Sequence, residues 1–206
     1  TDDCIARGKA LLDGGVRYLG GTNETYGNIN TSDSLWVIRD LVFNQKKYTL
    51  RQLNDAMLAN FNGYEALRKD CLNCDKYGND LETADTMAND LYEFVAKGVR
   101  NRGIAIGMQY FLIVISNNQL NTEWGNRTAA SPDGRLSCMY MNPANNPQGG
   151  ANKSGPTAML NSLAKFDAKY HGARYKTLSF LLPCSTRTGL SSRACSRLIL
   201  RKGVAT

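Results

Sequence analysis

The stretch that most restricts how this chain can fold runs from Thr128 to Asp167, where two motifs bracket a loop rich in Gly, Asn and Pro. Ser131-Pro132-Asp133-Gly134-Arg135 has the Pro-Asp-Gly order of a tight turn. Proline presets φ, aspartate bonds its own backbone and glycine accepts a left-handed conformation. Gly155-Pro156-Thr157-Ala158 then opens a helix, because proline is preorganised for the first helical position and its missing N–H costs nothing there. Ala158, Leu160, Leu163 and Phe166 continue it as an apolar stripe. Read as residues alone, this is a turn and a long loop leading into a helix, an arrangement that many α/β proteins contain.

The rest of the chain supplies helices and one apolar strand. Residues 3–12 read as a helix that Gly14-Gly15 ends. Gly20–Asn28 reads as a glycine-rich loop, after which Ser32 or Asp33 can cap a helix carrying Leu35, Ile38, Leu41 and Val42. A glycine-rich loop ahead of a helix can hold phosphate. Its spacing here fits neither the P-loop nor the dinucleotide fingerprint, and no strand clearly precedes it. Thr49–Phe61 is predicted helical, with Thr49 and Gln52 as a capping box and Leu53, Met57 and Phe61 on one face. A further helix is expected over 82–97, burying Ala84, Met87, Leu91, Phe94 and Val95. After Gly103 the run Ile104–Ser116 is apolar and rich in β-branched and aromatic residues. It reads as a buried strand that needs helices around it, so the fold class is α/β.

The formal net charge of +7 would ordinarily suggest an anionic partner such as nucleic acid. Its distribution argues otherwise: residues 1–171 hold 18 Lys/Arg and 18 Asp/Glu, and residues 172–206 hold 7 Lys/Arg and no acid. The excess therefore describes the tail. No window is long and apolar enough for a membrane helix, and Thr1–Lys9 has no signal-peptide character, which leads to the expectation of a cytoplasmic protein without a membrane partner. Six cysteines in such a chain are expected as thiols. Cys71 and Cys74 form a lone C-x-x-C. A zinc site would need a second pair or a histidine, and the only histidine is His171, so two incidental thiols at a helix end are expected and no metal. Cys4 and Cys138 lack the basic neighbours of a nucleophile.

The motifs together resemble the glycyl radical enzymes of the pyruvate formate-lyase family. SPDGR followed by KSGPTAMLNSLAKFD is similar to the family's [ST]PDGR turn and GPTA-x-L-x-S-x-x-K-x-D helix. Upstream, GG-x-RY, DSL-x-x-I and LVF-x-x-KKYTL continue the likeness, and Asn73, Lys76, Tyr77, Gly78, Asn79 and Asp80 match its KYGND text. Cys71 and Cys74 depart from it. The form GGTNETYGN is closest to the arylacetate decarboxylase-like branch. The resemblance implies that residues 1–171 are part of a ten-stranded β/α barrel enclosing an active site, followed by an irregular basic tail. It also implies that Glu24, with Tyr26 beside it, faces a small-molecule substrate, where a carboxylate accepts a hydrogen bond or relays a proton. Ser131–Arg135 and Gly155–Thr157 are its structural motifs.

What the resemblance implies about chemistry is a radical relay. An activase using S-adenosylmethionine and an iron-sulfur cluster installs a glycyl radical in an RVAGY-like motif. That radical oxidises a barrel cysteine, whose thiyl attacks substrate, with C–C or C–O cleavage of formate acetyltransferase, decarboxylase or dehydratase type. The intact parent is expected to be an anaerobic homodimer that meets its activase as partner. No RVAGY-like motif occurs in this chain and no cysteine here maps onto the barrel cysteine, so no catalytic residue and no bound cofactor is assigned. The chain is expected to be an inactive fragment whose Thr1 is not the natural start, aggregation-prone where Ile104–Ile115 lacks cover. The rival reading is a basic, non-enzymatic protein that binds nucleic acid through its C-terminal arm.

That arm, residues 172–206, departs abruptly from the family text, and a frameshift accounts for it. RYKTLSFLLPCSTRTGL can be encoded by a string which, read from its third base, gives VQNIKFSPSMFNKNRA, similar to the family sequence expected there. The predicted shift follows His171.

Overall fold

A computed structural model describes residues 3–17, 20–107, 110–114, 120–143 and 145–166; all of these fall within one compact unit. The tail at 172–206 and the predicted frameshift lie outside the described residues, as do positions 108–109 and 115–116 of the expected strand.

The chain begins with a single turn, α1 (Cys4–Arg7), and a 3-10 turn at Leu11–Asp13. This corrects the helix expected over 3–12: Gly8 takes a left-handed φ of 58° and closes α1 after four residues, as glycine commonly does at a helix end. Next come β1 (Gly20–Glu24), α2 (Asn28–Val37) and a π-helical continuation from Ile38 to Asn44. They are followed by α3 (Leu50–Leu58), α4 (Glu65–Asn73), α5 (Glu82–Ala105) and β2 (Tyr110–Val114). The described part ends with α6 (Leu120–Asn126) and α7 (Gly155–Ala164).

The glycine-rich segment is therefore a strand where a loop was expected. Gly20–Glu24 pairs in parallel with Tyr110–Val114, Gly20 opposite Tyr110 and Glu24 opposite Val114. Glycine weakens a strand, and only the long-range ladder to a segment some ninety residues away, which local sequence cannot show, holds this one. The pair makes the described architecture α/β, with α2–α5 forming the crossover that parallel strands require.

Two apolar cores lie among the helices. The first joins Ile29 of α2, Tyr77, Ala88, Tyr92 and Ala96 of α5's inner face, and Phe166 just beyond α7. Phe166 meets Tyr77 and Tyr92 edge-on, with ring centroids 5.3 and 5.7 Å apart, a favoured aromatic geometry. Alanines at 84, 88 and 96 repeat at helical spacing and let α2 approach α5 closely. The second core joins Val37, Leu41, Leu53, Ala56, Phe61, Leu67 and Cys71. Cys71 fills space there, and burial pushes its thiol up to about 12 and that of Cys74 to about 11, which makes both poor nucleophiles.

Helix α5 overturns two expectations. It runs through Ala105 instead of ending near Lys97, taking Ile104 from the expected strand. Its inner face is Ala84, as expected, with Asp85, Ala88, Tyr92 and Ala96; Met87, Leu91 and Val95 are half-buried, and Phe94 is 77% exposed. Phe94 stands on a face that is otherwise polar, with Asp90 and Lys97 exposed beside it, while small alanines take the inner face. Ile104 and Ile106 are also largely exposed.

The capping box is as the sequence indicates: Thr49 Oγ1 accepts from Gln52 N at 3.2 Å and Gln52 Oε1 accepts from Thr49 N at 2.8 Å. Thr49→Ala is expected to lower stability by about 1 kcal/mol, read as a lower urea midpoint at unchanged slope.

Candidate functional site

Two sequence-predicted groups, the end of β1 and the Ser131–Arg135 turn, are tied together through α2. Glu24 is the last residue of β1, opposite Val114 at the carboxyl end of the parallel pair. Tyr26 lies two residues on, partly exposed, just before Gly27 caps α2 with φ 71°. A Cβ on Gly27 would lie 2.9 Å from Met141 Sδ, so the loop after the turn packs directly on this corner.

Helix α2 is unusual in burying Asn30, Ser32, Asp33 and Ser34. Ser32 and Asp33 were expected as caps. They stand inside the helix: Ser32 Oγ donates to Ile29 O within α2 at 3.0 Å, and Asp33 fastens a separate segment. Asn30 and Asn142 clasp reciprocally: Asn30 N donates to Asn142 Oδ1 at 3.2 Å and Asn142 N donates to Asn30 Oδ1 at 2.7 Å. Asn30 Nδ2 also donates to Asp133 Oδ2 at 2.7 Å and to Gln148 Oε1 at 3.0 Å. Asp133 N donates to Ser34 Oγ at 3.2 Å. Asp33 Oδ1 accepts from Tyr77 N at 2.9 Å, and Lys76 Nζ donates to Cys71 O at 2.6 Å.

The Ser131–Arg135 turn forms as its sequence predicts. Gly134 N donates to Ser131 O and Ser131 N to Arg135 O, both at 3.0 Å. Gly134 has φ 93°, and a Cβ there would come within 2.8 Å of two Leu72 carbons, so only glycine fits. Asp133 and Arg135 are both buried. The Arg135 guanidinium donates to the carbonyls of Ala129, Leu136 and Met139 and to Ser131 Oγ. Engaged by internal partners, these two side chains hold the turn and its neighbours together.

The Gly155–Thr157 motif serves a different junction. Pro156 stands in the first turn of α7, exposed with Thr157. Asn152 Nδ2 donates to Gly78 O, and Asn79 Oδ1 accepts from Lys153 N and Ser154 N, which ties α7 to the 76–80 segment. Gly78 has φ 94° and presses on Pro147, where a Cβ would fall 2.2 Å from Cγ. Lys165 bridges Asp80, Glu82 and Asp85 at 2.9–3.3 Å, joining α7 to the start of α5. Local sequence reasoning missed Asn30, Asn142 and Gln148. The signal for Asn142 and Gln148 is the abundance of Asn and Gln in a long loop; Asn30, inside α2, has none.

Asp33 is the perturbed group of this network. It is 1% exposed, and its Oδ2 has no partner among the described residues. Burial pushes its carboxyl up to about 7, with Lys76 and the Tyr77 N–H opposing. The folded value lies above the unfolded one of about 4, so the folded state binds the extra proton between pH 4 and 7. Its contribution to stability is fully present below about pH 4 and is lost as pH rises through 7. Asp33→Asn keeps an acceptor for Tyr77 N–H and removes that loss. The variant is expected to gain roughly 2–4 kcal/mol over wild type at pH 8 and little at pH 4, read from urea unfolding at both values.

With this geometry in view, the comparisons with known proteins can be placed. Residues 1–120 match the pyruvate formate lyase-like family. The trans-4-hydroxy-L-proline dehydratase of Clostridioides difficile is 34% identical over 168 residues, covering 81% of this chain and 21% of that protein. The (2S)-3-sulfopropanediol dehydratase of Klebsiella oxytoca is 34% identical over 173 residues, with the same shares covered. The crystal structure of the Clostridioides difficile hydroxyproline dehydratase with trans-4-hydroxy-L-proline bound superposes with a TM-score of 0.77 at 34% identity, over 84% of this chain and 22% of that one. The chain thus spans about a fifth of the length of the relatives it matches. It belongs to the pyruvate formate lyase-like family of glycyl radical enzymes.

Proposed function

We propose that this chain is one wall of the active-site barrel of a glycyl radical lyase, with Glu24 as the carboxylate that engages substrate. The observation that carries the reading is the register of the parallel pair, which ends both strands at Glu24 and Val114. Ligands of parallel α/β sheets bind beyond the carboxyl ends of the strands, and Glu24 and Tyr26 stand there. A carboxylate at that edge can accept a hydrogen bond from a substrate hydroxyl, orient it and hold the proton that leaves with it. The parent's radical supplies hydrogen-atom abstraction, chemistry that belongs to residues outside this chain. Tyr26 borders the same corner, and the Asn30–Asn142–Asp133 network holds that corner against the turn.

Two of the similar proteins are named for dehydration of hydroxyl-bearing molecules, which supports C–O cleavage of a small hydroxylated substrate over acyl transfer to formate. Within the parent the pair β1–β2 extends into the barrel, and the exposed Phe94, Ile104 and Ile106 are covered there. The parent acts as a cytoplasmic, anaerobic homodimer activated by a radical S-adenosylmethionine enzyme. Among the described residues no helix is long and apolar enough to cross a membrane. Residues 172–206 are a frameshifted reading, a view supported by relatives that cover about 81% of the chain. The share left over is the size of that tail.

In the activated full-length enzyme containing this segment, Glu24→Gln is expected to reduce kcat by about 10²–10⁴-fold, and the 206-residue chain alone is expected to give no turnover. An unchanged kcat would remove Glu24 from the chemistry. Resequencing across codon 171 checks the tail: one indel should restore VQNIKFSP-like text, and an intact frame there rules the shift out. Binding of nucleic acid that depends on residues 172–206 would favour the basic-arm reading instead.

A further inference from the structure

A cleft of about 380 Å³ opens between α4, the Ser131–Arg135 turn and the 148–153 loop. Tyr26 does not line it. Arg68, Lys69, Lys76, Arg135 and Lys153 stand in its wall, against the carboxyls of Asp33 and Asp133. Which of these charges are available to a ligand follows from their internal partners. Arg135 is committed to backbone carbonyls and Lys76 to Cys71 O. Asp133 accepts from Asn30, Ser131 and Arg135 N, and Asp33 is buried.

The cations at the mouth are not committed in this way. Arg68 uses only Nε, on Gly134 O at 3.0 Å, and its two terminal nitrogens have no partner among the described residues. The Lys69 and Lys153 amines likewise make no hydrogen bond or ion pair among the described residues, and both side chains are exposed. Gly149 and Gly150 add no side chain of their own to the facing wall, beside Gln148 and Ala151. Three free cationic ends thus converge on a concave space, where low-dielectric walls focus their field.

We propose that this cleft binds a small oxyanion, the phosphate, sulfate or carboxylate group of a low-molecular-weight ligand, between the Arg68 fork and the Lys69 and Lys153 amines. The planar guanidinium suits two oxygens of one anionic group, and each ammonium adds a point charge. The volume suits a small organic anion. The site is separate from the proposed substrate edge and stands or falls independently of Glu24.

The test is a titration of the full chain with inorganic phosphate at constant ionic strength, followed by thermal unfolding and calorimetry, with sodium chloride as the matched control. Saturable binding is expected, weakened about ten-fold or more in K69Q/K153Q, since two charge-assisted contacts are lost. K46Q, an exposed lysine away from the cleft, should bind like wild type. Circular dichroism and the ligand-free Tm of the double variant should be unchanged, because neither lysine amine makes a hydrogen bond or ion pair among the described residues and the Lys153 backbone bond is kept. Glycerol phosphate in a parallel titration separates an organic ligand, which should bind more tightly, from free phosphate, which should bind equally. Either result supports the site. Stabilisation equal in chloride, or phosphate binding unchanged in the double variant, overturns it.

Discussion

The clasp between Asn30 and Asn142 is the interaction on which the rest of the described fold depends. Each asparagine offers its backbone N–H to the other's side-chain oxygen, so one pair of residues joins α2 to a loop more than a hundred positions away. Asn30 then extends to Asp133 and Gln148, and the turn, the loop and the helix become one unit. Buried polar groups of this kind stabilise only when satisfied, and leaving one unsatisfied costs more than the bond contributes. The same rule explains why α2 carries a polar run inside the protein. Ser34 and Asp33 take backbone N–H groups from two separate segments that would otherwise be orphaned.

The family's strongest sequence motifs are therefore positioning devices in this structure. Ser131–Arg135 is a turn whose charged side chains bond backbone carbonyls, Ser131 and Asn30, and Gly78 and Gly134 are glycines because Pro147 and Leu72 occupy the space a Cβ would need. What these motifs position is the corner at Glu24 and Tyr26, where a two-stranded parallel ladder ends. The most recognisable text thus serves the architecture, and the residues proposed for substrate stand at a less conspicuous strand end.

Large apolar side chains remain in water on the outer side of α5 and beyond it, including Phe94, Ile104 and Ile106. Exposed patches of this kind mark surfaces that other structure covers, and a two-stranded sheet is too small to stand alone. Both features fit a segment that spans a fifth of its relatives' length. The buried Asp33 adds a further cost within the segment, since its carboxyl is held largely away from the charged state by burial.

The sequence by itself determined the local elements whose chemistry is contained within a few residues. The Thr49–Gln52 capping box, the Pro-Asp-Gly turn and the proline-led start of α7 all follow from short-range bonds and fixed φ values. The motif order also determined the family. Only the tertiary structure decided the strand at Gly20–Glu24, because glycine-rich text is extended only when a distant ladder holds it. The inner face of α5 was likewise open, since alanines carry its contact with the core and the larger Phe94 stands on the outer face. The role of Asp33 was hidden for the same reason: a polar residue near a helix start reads as a cap. Whether it is one or a buried cross-link depends on what the rest of the chain brings against it.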